Sequence, residues 1–111
     1  IVAAVSSEAN LARLDEYRGM AQRLSDPRGL ADAERARLLR EAKPIYWLTG
    51  SIHSPETGSP EMLMELVYRL AVEETPRVRG IRDSVITLIT PVVETDGRDR
   101  MVDVIAQERA L

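Results

Sequence analysis

The stretch that most narrows the fold is VITLITPVV, Val85 to Val93. Nine residues with little polar interruption, rich in β-branched side chains, suit a central strand covered on both faces of an α/β sheet. Two shorter runs share its character: IVAAV, Ile1 to Val5, and IYWLT, Ile45 to Thr49 after Pro44. Between the strands the apolar spacing turns helical. Leu11, Leu14, Tyr17, Met20, Ala21 and Leu24 predict a helix from about Ser7 to Leu24, with Ser7 or Asn10 as its cap. DPRG, Asp26 to Gly29, breaks that pattern, and a second helix resumes over Leu30 to Ala42. Met62, Leu63, Leu66, Val67, Leu70 and Ala71 predict the buried face of a strong helix, capped by Ser59 with Pro60 at its first position. Val78 to Asp83 reads as a short helical piece, TDGRDR (Thr95 to Arg100) as a turn, and Met101 to Leu111 as a final helix.

Strand, helices, strand, helix, strand is the order of an α/β fold: a partial mixed or parallel sheet of about three strands with flanking helices. So thin a sheet leaves an edge exposed or in need of a partner, and self-association through that open edge is one expectation. The opening at Ile1, in mid-strand and without an initiator Met, reads as a segment of something longer. At 111 residues the chain suffices for one domain with a modest core. The formal charge of −3, with Arg23, Arg28, Arg35, Arg37 and Arg40 interleaved with acids, gives no electrostatic case for nucleic acid. Without cysteine there is no disulfide, no thiolate metal site and no cysteine nucleophile. No apolar run approaches the ~20 residues of a membrane span, and no signal peptide is visible.

The chemistry-bearing stretch is SIHSPETGSPEM, Ser51 to Met62, which holds the single histidine. His53 lies just past the end of the second predicted strand, where ligands gather in open α/β sheets. Glu56 follows three residues later, and Pro55 and Pro60 stiffen the loop between strand and helix. Nitrogen and oxygen donors at this spacing can converge on one zinc ion. The spacing alone favours an ordinary loop histidine beside a surface glutamate. A zinc hydrolase also needs a third protein ligand, and no second His or Cys is present.

PIYWLTGSIHSPETGSPEMLMELVYRL resembles the zinc-site region of the carboxypeptidase A-like metallocarboxypeptidases, where a buried strand leads into a His-x-x-Glu pair and then a long helix. VITLITPVVETDGRDR is similar to the family's strand that ends in a proline and an Asn-Pro-Asp-Gly turn, and the upstream segment is similar to bacterial members. The likeness runs in order over nearly the whole chain, which reads as a single partial domain, residues 1–111. It implies that His53 and Glu56 are the first two zinc ligands; the set of two His and one Glu comes with the family, not with the spacing. Asp96 and Gly97 match the second half of the family turn, whereas Glu94 and Thr95 stand where Asn-Pro is usual. The resemblance also implies a third ligand (a further His) and a glutamate general base, neither with a counterpart here. No catalytic residue is therefore assigned within this chain.

The implied function is the N-terminal segment of a zinc-dependent carboxypeptidase that hydrolyses C-terminal peptide bonds, itself inactive without downstream residues. Peptide is the implied substrate, and secreted or periplasmic is the implied location. Two alternatives stand beside it: a zinc deacylase of related fold, and a non-catalytic α/β interaction module. Other features read as structural. Met62 and Met64 are expected to fill the core, Trp47 and Tyr46 to face the core and a covering helix, and Arg98 and Arg100 to lie on a solvated turn. Asp96 and Asp99 lack the ligand spacing of a calcium loop. Ser51, Ser54 and Ser59 lack the Gly-x-Ser-x-Gly context of a nucleophile elbow.

Overall fold

The computed structural model describes residues 1–109. Three strands form one mixed sheet: β1 (Ala3–Val5), β2 (Ile45–Thr49) and β3 (Ile86–Thr90), in the order β1-β3-β2. The apolar run predicted to be central is the central strand. β2 pairs with it in parallel, from Ile45 opposite Ile86 to Thr49 opposite Thr90, and β1 pairs antiparallel, Ala3 opposite Ile89. Parallel pairing needs a crossover. Here it runs through α4 (Gly58–Val72) and α5 (Pro76–Ser84).

Register explains the core. Leu48, Ile89 and Val5 fall on one sheet face, because residues two apart on a strand point the same way. Onto that face α4 lays Leu63, Leu66, Val67 and Leu70, one helical stripe at spacings of three and four. Val78 and Ile81 of α5 extend the cluster. The stripe is narrower than the sequence predicts. Met62 and Met64 are 54% and 59% exposed and do not fill the core, because they flank the stripe rather than lie on it.

The predicted first helix is two. α1 (Glu8–Leu11) stops and α2 (Leu14–Ser25) starts after a break at Ala12 and Arg13. Buried Asn10 accounts for the break: its side-chain amide donates to the carbonyls of Arg82 and Asp83 and to the Ser6 hydroxyl, tying α1 to the α5–β3 junction. α2 then departs with buried Tyr17 inward, and after a 3-10 turn at Pro27–Gly29 the chain enters α3 (Asp32–Glu41).

Three further expectations are corrected. Ile1 and Val2 are exposed and precede β1, so the first strand is shorter than the apolar run. Tyr46 and Trp47 are both well exposed, since β2 is an edge strand. TDGRDR is not a turn: α6 (Thr95–Glu108) begins there, and the last two residues of the predicted final helix, 110 and 111, lie outside the described residues. Among the described residues no helix is long and apolar enough to cross a membrane.

Candidate metal centre

β2 and β3 run parallel, so their carboxyl ends lie side by side and the segments that follow them meet. Three backbone hydrogen bonds join those segments. The Gly50 amide donates to Thr90 O (3.0 Å), the Val93 amide to Gly50 O (3.0 Å) and the Glu94 amide to Ser51 O (3.1 Å). The approach is close enough to require a glycine. A Cβ on Gly50 would stand 2.8 Å from both Leu63 Cδ1 and the Pro91 carbonyl oxygen.

Ser51 turns the chain outward from this junction. It is 1% exposed and has φ 48°, the left-handed region that a non-glycine residue adopts only when its surroundings hold it there. The holding contacts are on hand: its amide donates to Ser59 Oγ (2.9 Å) and its hydroxyl to the His53 carbonyl (3.3 Å). Ser59 therefore does not cap α4 as the sequence suggests. The helix starts at Gly58, and its second residue anchors the loop.

Beyond Ser51 the two predicted ligands come together. His53 Nδ1 lies 2.8 Å from Glu56 Oε1, and the His53 amide donates to Glu56 Oε2 at 3.3 Å. The His53–Glu56 turn is closed by the Glu56 amide bonding to His53 O (3.1 Å). The hydrogen bonds from His53, side chain first and backbone second, hold the Glu56 carboxyl below the usual glutamate range, so it stays ionised. The side chains are 75% and 48% exposed. One imidazole nitrogen and one carboxylate oxygen thus face each other in the open.

That donor pair suits zinc. Tetrahedral bonds of about 2.0–2.2 Å put adjacent donors roughly 3.3 Å apart, so the pair needs to open by only about half an ångström. As a complete site it falls short. Among the described residues no three His, Cys, Asp or Glu side chains converge on one point.

What lies beside His53 was not legible in the sequence. An open cleft of about 580 Å³ is lined by His53, Ser54 and Pro55 of the loop and by Gly97, Arg100 and Met101 of α6. Glu94 stands at its foot. One carboxylate oxygen accepts the Gly97 amide (2.9 Å), and the other accepts the Ser54 hydroxyl. Ser54 first, then the Gly97 amide, hold this carboxyl below the usual glutamate range, and the Arg100 charge adds to the effect. Arg100 lines the cleft from a helix rather than standing on a solvated turn. The available signal was Glu94 three residues before Gly97, an acceptor placed to cap a helix amide.

The comparison with known proteins bears on this junction directly. The zinc carboxypeptidase family model matches residues 10–108, a span that includes both ligand candidates, the cleft and all of β2 and β3. The chain belongs to the zinc carboxypeptidase family. No curated protein and no solved structure matches it. Family membership makes the parent type a metallocarboxypeptidase-type hydrolase acting on peptides, with zinc as its metal. Within the matched span, edge strand β2 leads into the loop that carries His53.

Proposed function

We propose that His53 and Glu56 are two protein ligands of a catalytic zinc in an enzyme that hydrolyses C-terminal peptide bonds, and that this chain alone is inactive. The observation that carries the reading is the 2.8 Å approach of Nδ1 to Oε1 beyond the carboxyl end of β2, within a family whose metal is zinc.

Bound there, zinc would lower the pKa of its water and polarise a scissile carbonyl. The chain's own residues do the holding. His53 can offer Nδ1 only as the tautomer that carries its ring proton on Nε2, so the contact between Nδ1 and Oε1 opens as the metal enters. Glu56 enters already ionised. The Ser51 kink and the Ser59 hydroxyl fix the base of the loop, which limits the conformational freedom lost when both ligands engage. With no third ligand among the described residues, the pair holds zinc weakly.

X-ray absorption of the zinc-loaded chain tests the ligand set. One imidazole nitrogen and one carboxylate beside light, water-like scatterers, with no peptide hydrolysis, is the expected result. Three or more protein ligands, or turnover by this chain, would overturn the proposal.

A further inference from the structure

The loop that carries His53 and Glu56 is anchored at its base but needs a hold at its tip. Within residues 53–56 the hydrogen bonds are mostly local: His53 to Glu56, and Ser51 to the His53 carbonyl. Among the described residues, one hydrogen bond leaves this tip for another element, from the Ser54 hydroxyl to Glu94 Oε2. Glu94 is itself fixed twice over. Its amide bonds to Ser51 O at 3.1 Å, and its second oxygen caps the first turn of the 14-residue helix α6 through Gly97 at 2.9 Å.

A second observation comes from Gly97. Glycine is a poor helix former relative to alanine, yet it stands in the first turn of α6. A Cβ at this position would overlap both Glu94 Oε2 and the Ser54 hydroxyl. The glycine leaves room at the point where the loop and the helix are tied.

We propose that Ser54 and Glu94, with Gly97 as the spacer that admits their contact, are positioning residues that hold the His53–Glu56 loop against the start of α6. This inference rests on the zinc-ligand reading for its purpose but not for its geometry. Partners behind metal ligands commonly change affinity by about 10- to 100-fold when removed, because a ligand free to wander must be ordered at the moment of binding. Neither Ser54 nor Glu94 ligates the ion in this arrangement. They tie the loop between the two donors to the residue that caps α6.

The test compares the unaltered chain with Ser54→Ala, Ser54→Thr and Gly97→Ala, using zinc calorimetry and amide hydrogen exchange read by NMR. Ser54→Ala is expected to weaken zinc binding about 10-fold and to speed exchange at the Glu56 and Glu94 amides, with the fold retained. Ser54→Thr keeps the hydroxyl and stays within about threefold of the unaltered chain in both readouts. Gly97→Ala follows Ser54→Ala. Should the unaltered chain bind no zinc, the ligand reading fails while the exchange data still decide this one. Unchanged exchange in Ser54→Ala, or a Thr variant no better than Ala, would overturn the positioning role.

Discussion

Glu94 shows how one residue can serve two elements. Its carboxylate caps α6 through the Gly97 amide and accepts the Ser54 hydroxyl, and both contacts favour the ionised form. A carboxyl whose folded pKa is depressed contributes stability that is present above its unfolded value, near 4.3, and is lost as pH falls through the lower folded value. A ¹³C carboxyl titration should place the Glu94 midpoint below the ordinary glutamate range, and Glu94→Gln should remove that part of the acid sensitivity. A midpoint at or above the ordinary value would contradict the contacts described. Gly50 makes a different point. Alanine there must push Leu63 or the Pro91 carbonyl, each 2.8 Å from the new carbon, so Gly50→Ala should destabilise by roughly 1–3 kcal/mol in denaturant titration.

At the scale of elements, α4 does most of the burying through its stripe of Leu63, Leu66, Val67 and Leu70. Leu63 is 1% exposed against Ile89, and Leu63→Ala should lower stability by about 2–5 kcal/mol, read from thermal or urea unfolding. Met62→Ala, one residue away and exposed, should change it little. The strands and α4 were legible in the sequence because their signals are periodic or continuous. So was the approach of His53 to Glu56, since three residues of one loop cannot separate them far. What the sequence hid was set by contacts distant along the chain. The break between α1 and α2 follows from Asn10 reaching Arg82 and Asp83, more than seventy residues away. The start of α6 at Thr95 follows from a side-chain cap that overrode the turn chemistry of Asp96 and Gly97. Ser54 and Glu94, forty residues apart, meet only because β2 and β3 end side by side.

Taken whole, the molecule is flat and extended, 68 × 36 × 18 Å with a radius of gyration of 18.6 Å. A compact domain of this length has a radius near 13 Å. Much apolar surface is consequently uncovered, including Tyr46 and Trp47 on edge strand β2. Exposed, apolar strand edges invite pairing. Analytical ultracentrifugation should show concentration-dependent association that Tyr46→Lys reduces; a strict monomer at high concentration would count against that use of the edge.

The central claim is that the zinc carboxypeptidase family's metal is held here, in part, by His53 and Glu56. Zinc calorimetry at pH 7 on the unaltered chain and on His53→Ala tests it most directly. The account predicts weak 1:1 binding that His53→Ala abolishes. No heat from the unaltered chain, or equal binding by the variant, would contradict it.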